Sequence, residues 1–381
     1  MKKWILLLFA VFILFSGCKR EPELYLYDAA DVSFELPIID LSLEMYWNYE
    51  LSYGVTYDWE AEWHYGWDEI DRELFGEIGY VQPQAFNLRR YYTEAPYAAH
   101  TSVLSDYITG TTFKENFYWG FWDLLIWNDI TTIDGIRSLL FDEATTLDYV
   151  TAYTTESMQL SRYQAPRHTR SFYTPEPLFA AYSQAVEINP NLSGFEYDDV
   201  HNVYVMKLSM ALEPLTFIYL TQVILHNNKG RIVEADGSAN LSGMARSVVL
   251  NTGQAGNDAI TVNYNVRMKN GCKKNDETVD IIGGRLLTFG MCDTKANTIS
   301  RADDFNDSNR HYMDVTLQFN NGMDSTFVFD VTQQVRNRYK GGVITVELDM
   351  DTIPIPSRSG GSAFDAVVRD TEDGGTYEIE M

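Results

Sequence analysis

The sequence is poor in positive charge. It carries 29 Lys and Arg against 54 Asp and Glu, a net charge of −25. A protein that neutralises phosphates needs a basic face, so nucleic-acid binding is excluded as a main role. The same imbalance argues against peripheral binding to anionic membranes. Cysteine is scarce as well, with three in the chain. There is no CxxC, and the six histidines fall at no ligand spacing, so the usual zinc sites are excluded. A Gly-rich phosphate loop, a GxSxG elbow and an HExxH motif are all missing, and no cofactor motif replaces them. Asp198-Asp199 imitates a pair of catalytic carboxylates. Neighbours on a strand point to opposite faces, however, which separates them.

What is present begins at the N-terminus. Lys2 and Lys3 precede an apolar run from Trp4 to Phe15 that is too short to span a bilayer comfortably. The run ends in Phe15-Ser16-Gly17-Cys18. Small residues just before a cysteine resemble a bacterial lipobox, the signal for lipidation of that cysteine. The expected organisation is a signal peptide over 1–17, lipid on Cys18, and a polar tether over 18–27. The alternative is a plain secretory signal with Cys18 incidental. A lipid on Cys18 implies attachment to a membrane.

With Cys18 used in this way, Cys272 and Cys292 remain. Export permits a Cys272–Cys292 disulfide. Two separate buried thiols are the other reading, because spacing alone supplies no geometry.

The body of the chain alternates. From Ile260 to Met268 even positions are apolar and odd ones polar, the period of a half-buried strand. Met313 to Phe319 and Phe327 to Val331 repeat the pattern on either side of Asn321-Gly322. That dipeptide predicts a hairpin with a type I′ turn. Ile344 to Met350 and Leu43 to Tyr53 alternate too, Val203 to Leu212 reads as a strand, and Phe121 to Ile130 reads as a central strand. Two helices are expected: a short one over Asp68 to Phe75, and one opened by Thr174-Pro175-Glu176-Pro177, with Leu178, Tyr182 and Val186 on one face. Many strands and few helices predict an all-β protein of sandwich domains. The turn-rich Asn189-Pro190-Asn191-Leu192-Ser193-Gly194 marks the expected boundary between a domain over 28–190 and one over 191–381.

Seven of the eight tryptophans fall between residues 47 and 127, so the first domain holds most of the aromatic mass. Trp59, Trp63 and Trp67 sit four apart and share one face in either a helix or a strand. Exposed, the row would stack on sugar rings or contact a partner. Buried, it would be an aromatic core. His64 lies within it and reads as a packed or surface residue. Asp303-Asp304-Phe305-Asn306-Asp307-Ser308-Asn309 is rich in oxygen ligands, but it lacks the glycine and glutamate positions of an EF-hand. A solvated loop accounts for it, and no metal is assigned.

The ordered set of the lipobox, Phe121-Trp122-Asp123-Leu124-Leu125-Ile126-Trp127-Asn128, Tyr173-Thr174-Pro175-Glu176-Pro177-Leu178-Phe179-Ala180, Leu241-Ser242-Gly243-Met244-Ala245 and Phe329-Asp330-Val331-Thr332-Gln333-Gln334-Val335 resembles the fimbrillin-related lipoproteins of Bacteroidales. The resemblance implies two tandem transthyretin-like Greek-key β-sandwich domains. It also implies attachment to the outer membrane at the cell surface, and a non-catalytic role in fimbria assembly and adhesion, as an anchor or accessory subunit that meets fimbrial subunits by strand exchange. The competing expectation is a surface glycan-binding lipoprotein that uses Trp59, Trp63 and Trp67.

Overall fold

The structure is a computed structural model. It describes residues 38–45, 59–63, 65, 67–76, 80, 83–130, 138–142, 149–157, 170–201, 203–274, 276–293, 309–356, 365–368 and 379–380. The chain is all-β. In chain order the first strands are β1 Ile38–Met45, β2 Ala85–Thr93, β3 Ser102–Thr109, β4 Thr112–Asn116, β5 Gly120–Asn128, β6 Leu139–Asp142, β7 Thr151–Thr154 and β8 Ser171–Tyr173. Next come β9 Phe179–Ile188, β10 Glu196–Asp198, β11 Val203–Pro214, β12 Phe217–His226, β13 Ile232–Ala245, β14 Ser247–Val249, β15 Gln254–Ala255 and β16 Ala259–Asn265. The last are β17 Arg267–Lys274, β18 Glu277–Thr288, β19 Tyr312–Phe319, β20 Asp324–Asp330, β21 Gly342–Asp349, β22 Asp365–Val368 and β23 Ile379–Glu380. Three short helices accompany them among the described residues: α1 Trp59–Glu62, α2 Glu69–Phe75 and α3 Thr332–Asn337.

The first sandwich comes from one bent sheet in the order β3-β2-β5-β9-β11-β1-β4, with β10 on β11. Only Glu213 and Pro214 of β11 pair with β9, while its earlier residues pair in parallel with β1. The sheet therefore turns a corner at the end of β11 and faces itself. Phe86, Leu88, Trp122, Leu124 and Phe179 meet Met210 and Leu212 in the core between the two halves. The dense run of β5 is a central strand, as its sequence suggests. Trp122, Leu124 and Ile126 face this core, and Leu125 and Trp127 face another.

The second sandwich packs β17-β18-β12-β21 on β23-β22-β20-β19-β13-β16-β8. Tyr219, Val223, Leu225, Ile282 and Leu286 interlock with Leu241, Val262, Val315, Phe327 and Phe329. A small sheet, β15-β14-β7-β6, adds Leu139, Val150, Ala152 and Val248 to the same core. Pairing crosses residue 190 in both directions. β11 belongs to the first sheet, whereas β7 pairs with β14 and β8 pairs with β16.

The β19–β20 hairpin forms where Asn321-Gly322 places it, but the turn differs from expectation. Only Gly322 has positive φ, at 75°. Gly322 N donates to Phe319 O and Phe319 N donates to Met323 O. That is the three-residue loop closed by a glycine bulge, not the two-residue type I′ turn. The helix expected at Thr174 is absent. Residues 174–178 are irregular and 179–188 form β9. Thr174 Oγ1 accepts from Leu287 N and donates to Leu287 O, while Leu178 N donates to Thr216 Oγ1. Its threonine and prolines hold an extended segment between sheets instead of capping a helix. The other expected helix is present as α2. Asp68 accepts from Asp71 N, and the Asp71 side chain accepts from Asp68 N, closing a capping box.

Candidate partner interface

A sheet edge offers unpaired N–H and C=O groups, so natural edges carry lysines, prolines, bulges or a cover. The edges of this chain can be sorted on that basis. β17 carries Arg267, Lys269, Lys273 and Lys274, and a bulge between Lys269 and Cys272. β21 is covered by α3: Gln334 Nε2 donates to Thr345 O, and Gln334 Oε1 accepts from Thr345 N. β6, β8, β15 and β23 are each four residues or shorter. β4 has five residues and includes Lys114 and Glu115.

β3 differs from all of these. Its eight residues, Ser102-Val103-Leu104-Ser105-Asp106-Tyr107-Ile108-Thr109, contain no lysine and no proline. It pairs with β2 from Ala85↔Thr109 to Tyr92↔Ser102 without a register shift. Leu104 and Tyr107 are exposed. Its one charge is neutralised from inside the sheet. Arg90 Nε lies 2.7 Å from Asp106 Oδ2, and Arg90 Nη2 lies 3.0 Å from Oδ1. The same guanidinium sits 4.9 Å from the ring centroid of Phe117. Among the described residues, β3 is the long edge with neither guard nor cover. No sequence motif marks it, because its signal is a lack of charge in an ordinary-looking segment.

The aromatic row lies elsewhere. Trp63 is 1% exposed and Trp59 8%, and Trp67 is half-buried. With Phe75 they cover the outer face of the second sandwich, against Ile218, Leu220, Ile224, Ile281 and Val343. β12 is accordingly apolar on both faces, a pattern usual for a strand buried on both sides. Gln222 Nε2 donates to Glu62 O, and Arg338 Nη2 pairs with Glu62 at 2.7 Å. Lys269 Nζ reaches Asp71 at 2.7 Å and Asp68 at 3.1 Å. The segment over 59–76 is therefore a strap held by packing and by ion pairs. The tryptophans form its buried face, not a flat exposed platform.

Electrostatics follow this geometry. The backbone N–H of Asp71 and the nearby Lys269 hold the exposed Asp68 carboxyl down at about 2. Burial pushes Asp71 up. Burial opposes the charge on Lys269, but hydrogen bonds to Asp71 and Asp68 outweigh it and raise its pKa. On the other face of β5, the side of Leu125 and Trp127, Asp123 is 2% exposed. Its Oδ1 accepts from Ala185 N at 2.8 Å, and its Oδ2 meets Tyr182 Oη at 2.9 Å and His100 Nε2 at 3.0 Å. Tyr149 Oη lies 2.9 Å from Tyr182 Oη. Each carboxylate oxygen is taken up by the fold, pinning β5 to the bulge where Ala185 has φ of 56°. Asp198 is likewise committed to its turn, accepting from Val200 N and His201 N, while Asp199 follows outside the strand.

Cys272 and Cys292 do not form a disulfide. Both thiols are buried, Cys272 among the residues under the strap and Cys292 in the larger core. The sheet between those two cores keeps them apart. Burial pushes Cys272 up to about 11, which leaves it unreactive at neutral pH. Cys18, the signal peptide, His64 and residues 303–308 of the oxygen-rich loop lie outside the described residues. No described helix is long and apolar enough to cross a membrane.

No protein-family model and no curated protein matches the chain. Solved structures do resemble it. A "putative adhesin" from Bacteroides ovatus matches at 13% identity, over 85% of this chain and 94% of the other, with a TM-score of 0.49. "Putative polysaccharide binding proteins" from Bacteroides thetaiotaomicron match at 10% identity, over 83% and 93%, with a TM-score of 0.40. The fimbrial anchor protein Mfa2 from Porphyromonas gingivalis matches at 10% identity, over 90% and 95%, with a TM-score of 0.33.

Proposed function

We propose that the protein is a non-catalytic surface lipoprotein that anchors or accompanies a fimbrial polymer. Residues 1–17 are its signal peptide, Cys18 carries lipid, residues 18–27 are the tether, and the outer membrane holds the assembly. One observation supports a partner-binding role: β3 is an eight-residue edge without lysine, proline or bulge. A strand laid along it would satisfy main-chain groups over its whole length, with side chains entering alternate positions. The neutralised Asp106 leaves no charge to repel an incoming strand. The sequence resemblance supplies the class of partner, a fimbrial subunit.

The glycan reading keeps less support, because Trp59 and Trp63 are buried. The test is affinity capture of the tagged protein from its native envelope, in low and high salt. Capture of a fimbrial subunit that survives high salt and is lost in Ser105→Lys/Tyr107→Lys is the expected result. Capture unchanged in that variant would reject the β3 edge. Identical fimbriae on a deletion strain, with no fimbrial protein captured, would reject the anchor reading.

A further inference from the structure

The loops at one pole of the first sandwich share an unusual surface. Thr93 at the end of β2 pairs with Phe121, and Gly120 pairs with Ile188 at the end of β9. On the facing half, Ile38 at the start of β1 lies between Val205 and Asn116, and Glu196 of β10 pairs with Val205 on its other side. The loops over 94–101, 117–119 and 189–195 and the β10–β11 turn therefore crown the same end. Tyr97 is 75% exposed there, Tyr118 62%, Tyr197 52%, Val200 82% and Tyr204 36%. These loops are built, not loose. Ala98 N donates to Ala95 O, Leu192 N to Asn189 O and Phe195 N to Leu192 O. Tyr97 is held at a φ of 61°, a costly conformation for a tyrosine. The rings of Tyr197 and Tyr204 pack across the hairpin with centroids 5.0 Å apart. Clustered exposed aromatics on ordered backbone mark a docking surface.

The direction of the chain indicates what docks. β1 begins at this pole, so the segment that follows Cys18 arrives here. Nineteen residues lie between Cys18 and Ile38, and that stretch spans at most about 70 Å. β11 starts at the same pole with Val203 and leads to Pro214, after which β12 opens the second sandwich at the far side. A lipid on Cys18 thus tethers the chain from this pole, while the second sandwich is joined at the opposite end of β11. Tyrosine rings favour that boundary, with the ring in the apolar zone and the hydroxyl in water. We propose that the tyrosine pole rests on the headgroup region of the membrane and stands the second sandwich outward. This rests on the lipid-anchor reading. Glu94, Glu196 and Asp199 are exposed at the same pole, so attraction to anionic headgroups contributes nothing and the contact comes from the tyrosine rings, with little dependence on salt.

The test reconstitutes the acylated full-length protein into phosphatidylcholine vesicles that carry a headgroup-depth fluorescence quencher. Single labels are placed on Tyr118→Cys or Val200→Cys, with Val233→Cys and Ile355→Cys in the second sandwich as controls. The expected result is quenching at 118 and 200 several-fold above that at 233 and 355, in low and high salt. It should fall at least twofold at 200 when Tyr97→Asn, Tyr118→Ser and Tyr197→Thr are combined. All three positions are exposed, and asparagine tolerates the left-handed conformation at 97. Equal quenching at all four positions, or none at 118 and 200 on vesicle-bound protein, would overturn the proposal. So would a soluble glycan or protein that binds at these labels while the vesicles do not. Mass spectrometry of the native N-terminal peptide reads the anchor separately. If Cys18 is unmodified, the anchor reading falls alone. The pole is then judged by sedimentation of Cys18→Ser with the same vesicles: tyrosine-dependent sedimentation supports it, and none overturns it.

Discussion

A Cβ on Gly283 would stand 2.9 Å from Cη2 of Trp63, 3.0 Å from Cδ1 of Phe75 and 2.9 Å from the backbone oxygen of Thr221. Gly283 is thus the notch in β18 into which the strap inserts Trp63. Gly283→Ala should destabilise the protein by about 1–3 kcal/mol, as overpacking does. Trp63→Ala should cost about 3–5 kcal/mol. Because the two residues touch, the double variant should be less damaging than the sum. Denaturant unfolding of the four proteins checks this, and strict additivity would contradict the notch.

The cap of α2 gives a pH dependence. Asp68 titrates at about 2 in the folded chain, below its ordinary value of 3.8. Its stabilisation is therefore complete above about pH 4 and is lost as pH falls towards 2. Asp68→Ala should lose about 1 kcal/mol at pH 6, the usual value of an N-cap, since the exposed ion pair adds little. The gap between wild type and variant should shrink on acidification. Unfolding curves at pH 6 and pH 3 measure it, and a gap that grows would reject this cap.

Gly322 has φ of 75° with open space where its Cβ would be. The Cβ of Gly322→Val therefore meets no clash, and the expected cost is backbone strain of about 1 kcal/mol or more. Gly322→Asn should recover part of it. Thermal unfolding of both variants decides the point, and equal melting temperatures would show that the turn tolerates either residue.

The two buried thiols should react with a thiol reagent only after denaturation, and a reductant should leave the melting temperature unchanged. A shift in melting temperature on reduction would reveal a Cys272–Cys292 bond.

Local pattern carried the strands well. Ile260, Val262 and Tyr264 alternate because one side of β16 faces the core. Phe121 to Asn128 is dense because β5 is covered on both sides. The signals that misled were ambiguous in themselves. Threonine and proline at 174–177 suit a helix start and an extended segment alike. A four-residue spacing puts Trp59, Trp63 and Trp67 on one face in either state, so the sequence could not say what they cover. The strap on β18 and the pairing of β7 with β14 are non-local and leave no periodicity. The unguarded edge of β3 was legible in principle, from eight residues without lysine or proline.

β1 and β11 run parallel over eight residues, from Ile38↔Val205 to Met45↔Leu212. A pull on the chain ahead of Ile38 draws β1 one way, and a pull transmitted through the second sandwich draws β11 from Pro214 the other way. Opposed forces on parallel strands slide them along one another. All the hydrogen bonds of the seam then stretch together, where a peeling geometry would break them one at a time. A tether attached at this end would meet flow or tension with the seam in shear, the direction in which a ladder of weak bonds resists most.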